Sequence, residues 1–194
     1  MTTEQKNNAQ KYYAFFYFLN MTGPIVARNR WMEKMTISTP DLCDEFGDTV
    51  QVAEPIFKHY GGVCQFGGQV VTVKCFEDNS RVGEMVRTPG DNKVLVVDGG
   101  ASPRRSLLGD QLVAHACKNN WQGIIIYGYL RDVEEIEIMQ MGVMALGAIP
   151  RKTEKLGEGK VNVPLAMAGL QINPGDFIYA DGTGVIVSSV PLLK

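Results

Sequence analysis

The chain has 194 residues, of which 45% are hydrophobic, and this is enough to build one substantial buried core without a second domain. Its formal net charge is −2 and its central part has no basic cluster larger than Arg104-Arg105, so we expect no direct binding of nucleic acid. Its four cysteines lack CxxC spacing, which argues against a zinc site and predicts reduced, mostly buried thiols in a cytoplasmic protein.

The first part of the chain, residues 1–35, is predicted to be an N-terminal extension. The run from Tyr12 to Leu19 is strongly aromatic, but it is far too short to span a membrane, and we expect no membrane partner. Because many aromatic side chains are unfavourable in water, we expect an ordered or semi-ordered extension, with a targeting segment as the alternative. The main domain is predicted over residues 36–194.

Helix and strand signals alternate in the first part of this domain. Thr39-Pro40-Asp41 predicts the entry to a helix, and the β-branched, alternating run from Phe66 to Cys75 predicts a strand. A short helix is predicted from Asn79 to Val86, before Pro89-Gly90.

Two continuous apolar runs in the centre predict strands that are buried on both faces. These runs are Lys93–Val97 and Gly123–Tyr127. Between them, apolar residues recur at helical spacing from Leu112 to Cys117, and Asp110 stands where this helix would begin. The chain is expected to enter a loop after each strand, where open α/β sheets usually bind ligands, and the second loop delivers Arg131-Asp132.

The turn after the first of these strands does not predict a dinucleotide site. Gly99-Gly100 lacks the G-x-G-x-x-G spacing of that fingerprint. Further on, Gly142–Ile149 predicts a strand, and the segments Leu165–Ile172 and Val185–Val187, with turns between them, predict a terminal meander. The order of elements predicts a layered α/β sandwich.

A candidate site emerges where the central helix begins and the second central strand ends. The backbone N–H groups of Gln111 and Leu112 would suit a carboxylate or phosphate oxygen. Arg131 offers a bidentate fork for the same anion. Asp132 and Asp110 offer hard oxygen ligands, directly or through water, of the kind that Mg²⁺ or Mn²⁺ accepts. The set would hold a 2-oxo acid against a divalent cation.

Each of these residues also has a simpler interpretation. Asp110 and Asp132 would each serve as a helix cap, with Glu135 completing a capping box for the second helix. Arg131 alone would be a surface ion-pair partner. From the residues alone, both interpretations stay open.

A family resemblance favours the functional interpretation. Asp110, then twenty residues, then Arg131-Asp132 resembles the D-x20-R-D signature of the class II aldolases that cleave 4-hydroxy-4-methyl-2-oxoglutarate. That family is shared with the regulator of ribonuclease E activity A (RraA). The similarity covers about residues 36–193 and is closest to the RraA branch. Further matching segments are Thr39–Asp44, Val52–Pro55, Phe66–Gln69, Thr72–Asp78, Val96–Gly100 and Tyr179–Gly184.

The resemblance implies a fold, an assembly and a set of roles. The implied fold is a single-domain, swivelling β/β/α sandwich that forms a ring-shaped homotrimer with each site near a subunit boundary. In the implied site Asp132 binds Mg²⁺ or Mn²⁺, Arg131 holds the pyruvate carboxylate, and Asp110 acts through metal-bound water. The start of the central helix, through Gly109, Gln111 and Leu112, completes the pyruvate site.

The implied function is that of a divalent-metal-dependent lyase. It would cleave 4-hydroxy-4-methyl-2-oxoglutarate-type 2-oxo acids, decarboxylate oxaloacetate, or do both, through a pyruvate enolate that the metal stabilises. RraA-type regulators often lose the acidic residues of the motif, and here both are present. The aldolases also receive an acidic residue near the C terminus from a neighbouring subunit. Val190–Lys194 contains none, and this favours decarboxylation.

The alternative function is that of a regulator that binds and inhibits an RNase E-like endoribonuclease. The similarity to the RraA branch implies it. The acidic run of Glu134, Glu135 and Glu137 could meet a basic partner surface, although such a run is usually the solvated face of a helix.

Overall fold

The computed structural model describes residues 37–193, so the predicted extension over residues 1–35 lies outside the described part of the chain. A short 3₁₀ turn, Gly47–Thr49, follows the first helix. The α-helices of the described residues are α1 (Thr39–Phe46), α2 (Ser80–Met85), α3 (Asp110–Lys118) and α4 (Val133–Glu137).

The strands of residues 37–193 are numbered in chain order. They are β1 (Gln51–Val52), β2 (Lys58–His59), β3 (Phe66–Lys74), β4 (Val94–Asp98), β5 (Ser106–Leu108), β6 (Gly123–Leu130), β7 (Gly142–Ala148), β8 (Lys160–Val161), β9 (Leu165–Met167), β10 (Leu170–Ile172), β11 (Phe177–Ala180) and β12 (Val185–Ser188).

Strand β3 joins two differently built halves of one mixed sheet. Its first residues pair antiparallel with β11, where Phe66 lies opposite Ala180. Its later residues pair parallel with β4, where Val70 lies opposite Val94. The strand order is β1-β12-β11-β3-β4-β6-β7-β2, with β5 added on β6 and β8 on β3, while β9 and β10 form a separate hairpin.

The parallel strands are buried on both faces, as their continuous apolar sequences predict. In β4, Leu95 and Val97 pack into a core with the helices, and the alternate residues Val94 and Val96 pack into a second core with the β9–β10 hairpin. Strand β6 alternates in the same way. Helices therefore cover one face and β-structure the other, and the predicted layered α/β sandwich is confirmed.

Most predicted elements occur within one or two residues of their expected bounds, but three details differ. Strand β6 does not end at Tyr127, since it continues through the predicted loop to Leu130. The run Leu165–Ile172 is split into β9 and β10 by a turn at Ala168-Gly169, both of which have positive φ. The short strands β1, β2, β5 and β8 have no counterpart among the predicted elements.

The four cysteines are all free thiols, as predicted. Only Cys75 is buried, so the prediction of mostly buried thiols is wrong. Within the described residues, no helix has both the length and the apolar character needed to cross a membrane.

Candidate functional site

The two halves of the D-x20-R-D motif meet because β5 pairs with the end of β6. Leu108 lies opposite Leu130, and the Arg131 N–H donates to the Leu108 carbonyl at 3.0 Å. Helix α3 starts directly after β5, with Gly109 in the N-cap position and Asp110 as its first residue. The extra length of β6 therefore brings Arg131 beside the start of α3.

The Asp132 carboxylate contacts both sides of this junction, the start of α3 and Arg131. Its Oδ2 atom accepts from the Asp110 N–H at 3.4 Å and lies 3.2 Å from Nε of Arg131. Asp132 has a left-handed backbone (φ 57°), a conformation that few residues other than glycine adopt. Among the described residues, Oδ1 of Asp132 and the terminal nitrogens of Arg131 have no hydrogen-bond partner, so they remain free for a ligand.

The structure does not support the helix-capping interpretation. Asp132 precedes α4 in the N-cap position, yet its side chain makes no capping hydrogen bond, and the proposed capping box with Glu135 is absent from this part of the structure. The Asp110 side chain makes no capping bond either. Neither carboxylate therefore caps the helix that it was expected to cap, and Asp132 instead accepts from the first N–H of α3.

Gly109 is required by a close approach of these side chains. A Cβ atom at this position would lie 2.6 Å from Oδ2 of Asp132 and 3.3 Å from Nε of Arg131. Any larger residue would displace the Asp132–Arg131 pair.

The two predicted helix-start amides differ in availability. The Leu112 N–H donates to the Gly109 carbonyl at 3.1 Å. No partner for the Gln111 N–H occurs among residues 37–193. Gln111 therefore supplies the amide that is free for an oxyanion.

A cavity of about 570 Å³ lies beside this junction, a size typical of small-molecule sites. Its lining includes Gly109, Gln111, Leu112 and the charged residues Arg87, Asp110, Arg131, Lys152, Glu154 and Lys155. Glu154 pairs with Arg105 at 3.2 Å, so basic groups dominate the wall. Asp132 does not line the cavity itself, although its carboxylate contacts Asp110 and Arg131, which do.

One wall of the cavity is a loop, residues 152–156, that is anchored to the segment before α2. The buried Asp78 carboxylate accepts from the Leu156 N–H at 2.8 Å and the Glu158 N–H at 3.0 Å. The Thr153 hydroxyl donates to Oδ1 of Asn79 at 2.8 Å, and Asn79 in turn donates to the Leu107 carbonyl at 3.1 Å. The loop is thereby fixed to β5.

These hydrogen bonds control the protonation of Asp78. Burial on its own would raise the pKa of this carboxyl group, but hydrogen bonds from Ser80, Glu158 and Leu156 outweigh it and lower the pKa to about 2. Asp78 is therefore a buried anion that holds the loop in place at neutral pH.

The carboxylates of the site fit a hard divalent cation. The described residues contain no cluster of three or more His, Cys, Asp or Glu side chains suited to a metal. Mg²⁺ and Mn²⁺ need only one or two carboxylates with several retained waters, and Asp132 and Asp110 match that requirement. A closed structural zinc site, with four protein ligands, does not fit.

The sequence did not predict the wall of the cavity that lies away from the D-x20-R-D motif. Arg87, Lys152 and Lys155 come from segments without a motif, and Asp78 stands at the end of a segment that matches the family without a role of its own. The available signal is the polar run Asp78-Asn79-Ser80, which lies a few residues after the end of β3.

Comparison with known proteins agrees with the motif and the fold. The family model described as "RraA-like: Aldolase/RraA" matches residues 39–187. The chain belongs to the RraA-like family.

Individual RraA-like relatives carry different names. A protein of Pseudomonas fluorescens (strain Pf-5) named "Putative 4-hydroxy-4-methyl-2-oxoglutarate aldolase" is 55% identical over 154 residues, 79% of this chain and 94% of that protein. The RNA-processing inhibitor RraA of Thermus thermophilis has a TM-score of 0.79 and 38% identity, covering 82% of this chain and 96% of that one.

A third similar protein has yet another description. A Geobacillus kaustophilus structure described as S-adenosylmethionine:2-dimethylmenaquinone methyltransferase has a TM-score of 0.79 and 46% identity, covering 80% of this chain and 97% of that one. Because one fold carries three descriptions, the activity has to be argued from the residues of the site.

Proposed function

We propose that this protein is a divalent-metal-dependent lyase that cleaves a C–C bond in 2-oxo acids and releases pyruvate. Its substrates would be 4-hydroxy-4-methyl-2-oxoglutarate-type acids, oxaloacetate or both. The observation that carries the proposal is the meeting of two carboxylates that cap no helix of their own, Asp110 and Asp132, with Arg131, which contacts Asp132 through Nε and leaves its terminal nitrogens without a partner among residues 37–193. The aldolase name of the 55% identical relative supports the same reaction class.

The pyruvate part of the substrate would bind between Arg131 and the start of α3. The terminal nitrogens of Arg131 would hold its carboxylate in a bidentate pair, and the free Gln111 N–H would donate to the same anion. Gly109 keeps this corner open, since its lack of a side chain lets Asp132 and Arg131 lie together. The substrate would thus be oriented with its 2-oxo group toward the two carboxylates.

Asp132 and Asp110 would hold the cation, Asp132 directly and Asp110 through water. When bound, the cation supplies Lewis-acid stabilisation of the negative charge that develops on the 2-oxo oxygen. In aldol cleavage the Asp110 carboxylate, directly or through a water, would take the proton of the C4 hydroxyl group. The pyruvate enolate that remains takes up one proton at C3, so the proton balance closes.

The test is pyruvate release from oxaloacetate and from 4-hydroxy-4-methyl-2-oxoglutarate, with Mg²⁺, with EDTA and with the Asp132→Ala variant. We expect metal-dependent release that falls at least a hundredfold in the variant, because the direct ligand is lost. Asp91→Ala serves as the control, since Asp91 is an exposed aspartate paired with Lys93 and does not line the cavity. Unchanged turnover in Asp132→Ala would contradict the assignment.

A second candidate function is inhibition of an RNase E-like endoribonuclease, since a 38% identical structure is described as an RNA-processing inhibitor. Glu134, Glu135 and Glu137 are exposed on α4 and could face a basic partner surface. Slower RNase E cleavage in the presence of the purified protein, relieved by Glu134→Gln and Glu137→Gln, would support it.

A further inference from the structure

The acidic residue on the loop that forms one wall of the cavity is held by a residue outside the cavity. Glu154 lines the cavity, and its Oε1 atom accepts from Nη2 of Arg105 at 3.2 Å. Through Nη1 the same guanidinium donates to the Lys152 carbonyl at 3.1 Å. Arg105 therefore binds the loop of residues 152–156 at two points, a contact that suits the planar fork of a guanidinium.

The pairing of β5 with the start of this loop sets the position of Arg105. Ser106, the first residue of β5, forms an isolated parallel bridge with Lys152, and its N–H donates to the Arg151 carbonyl at 2.8 Å. Arg105 directly precedes Ser106, so its side chain begins beside the loop. Its side chain is 29% exposed, against 69% for Glu154. Arg105 is thus the more fixed partner of the pair, and the position of the Glu154 carboxylate depends on it.

This ion pair differs from its neighbour in where its acid lies. Arg104 pairs with Glu77 at 2.6 Å, and neither of these residues lines the cavity. Exposed ion pairs of this kind are screened by water and salt and contribute little to stability. The Arg105–Glu154 pair therefore has its main effect on the charge of the cavity wall.

Glu154 stands between two lysines that line the same cavity. Lys152 and Lys155 flank it in the loop, yet neither forms an ion pair with a carboxylate of residues 37–193. The Glu154 carboxylate is bound by Arg105 instead. Both ammonium groups therefore remain available to an anion in the cavity. A released Glu154 carboxylate would compete with that anion for them.

We propose that Arg105 is a positioning residue of the site, which holds the Glu154 carboxylate so that it does not compete with an anionic substrate for Lys152 and Lys155. The inference rests on the proposed lyase function, because a 2-oxo acid is an anion at neutral pH. Arg105 acts only through Glu154 and the loop, since it does not line the cavity itself.

The test is a double-mutant cycle on pyruvate release from oxaloacetate with Mg²⁺, using Arg105→Met, Glu154→Gln and the double variant. The pair is neutral in the unaltered protein and in the double variant, but Arg105→Met leaves one uncompensated negative charge. We expect KM to rise about three- to tenfold in Arg105→Met, with kcat changed less than about twofold. In the double variant KM should return to within about twofold of the unaltered value, because the competing carboxylate is gone.

Two further measurements separate this role from a purely structural one. The rise in KM should become smaller as NaCl is increased from about 20 to about 300 mM, since salt screens the released charge. Arg104→Met is the matched control, because it removes the same charge one residue away and should leave KM unchanged. An unchanged KM in Arg105→Met, or a raised KM that Glu154→Gln does not lower, would overturn the proposal.

Calorimetric titration with pyruvate and Mg²⁺ repeats the cycle without turnover. The Kd for pyruvate should rise in Arg105→Met and recover in the double variant. If the unaltered protein binds pyruvate but releases none from oxaloacetate or 4-hydroxy-4-methyl-2-oxoglutarate, the lyase proposal fails while the Kd cycle still tests Arg105. Absence of pyruvate binding by the unaltered protein would overturn both proposals.

Discussion

Replacing Asp78 by Asn should destabilise the protein in a pH-dependent manner. In the folded protein Oδ1 of Asp78 accepts from the Ser80 N–H at 2.7 Å, and Oδ2 accepts from the amides of Leu156 and Glu158. Asn has only one acceptor oxygen, so its NH₂ group would face an N–H donor on one side. The substitution removes the buried charge and leaves at least one backbone donor unsatisfied.

The magnitude follows from the pKa of Asp78. This pKa is about 2, against 3.8 for an ordinary aspartate, and at about 1.4 kcal/mol per pKa unit the difference corresponds to about 2–3 kcal/mol of stability at pH 7. Because the folded-state pKa is the lower one, this contribution is fully present above pH 3.8 and is lost as the pH falls through 2. The free energy of unfolding of Asp78→Asn should therefore lie about 2–3 kcal/mol below that of the unaltered protein at pH 7, with a gap about 1 kcal/mol smaller at pH 3.

The assay is urea-induced unfolding of both proteins at pH 7, 5 and 3, followed by circular dichroism. Asp91→Asn is the control, because Asp91 is exposed and its replacement should change the free energy of unfolding by less than about 0.5 kcal/mol at each pH. A gap for Asp78→Asn that is equally large at pH 7 and pH 3 would refute the assignment of its stability to the charged carboxylate.

Two further outcomes follow from the structure. Gly109→Ala should lower turnover more than tenfold while changing the free energy of unfolding by about 1 kcal/mol, since the new Cβ displaces the movable Asp132 carboxylate, not the backbone. Kinetics with a parallel urea titration measures both quantities, and unaltered turnover would contradict the prediction. Burial, together with Asp78 and Asp98, raises the pKa of Cys75 to about 12, so iodoacetamide at pH 8 should modify exposed Cys64 and leave Cys75 intact. Mass spectrometry of the digested protein measures both sites, and equal labelling would show that Cys75 is accessible.

The half of the candidate site that contains the D-x20-R-D motif could be predicted from the sequence because it depends on local patterns. Apolar runs define β4 and β6, and both Asp110 and Arg131 stand directly where a helix begins or a strand ends. Parallel strands place such ends at one edge of a sheet, so the two motif halves are expected on the same edge, although their contact also needs the unpredicted pairing of β5 with β6. The roles of these residues stay predictions that the kinetic experiments have to test.

The other half of the site, formed by Arg87 and residues 152–156, could not be predicted, since its position depends on contacts between residues far apart in sequence. The segment Arg151–Lys155 is a mixed-charge run without periodicity, which by itself indicates only a solvated loop. Its place beside Arg87 is set by Asp78 and Asn79, some 75 residues earlier, as in the bond from Thr153 to Asn79. The predicted end of β6 at Tyr127 is wrong for a similar reason, because pairing with β5 outweighs the turn tendency of Gly128.

Because the loop of residues 152–156 is anchored to distant segments, ligand binding in the cavity depends on the whole fold. The walls of the cavity beside the motif come from the segment before α2, from β5 with α3, from the end of β6 and from residues 152–156. These segments are adjacent only once β3, β4 and β6 have assembled. A ligand that touches all four segments has no partial binding site in an unfolded or half-assembled chain. Such a ligand binds only the folded chain, so it raises the free energy of unfolding by RT ln(1 + [L]/Kd), and the melting temperature should rise with the concentration of a ligand that fills the cavity.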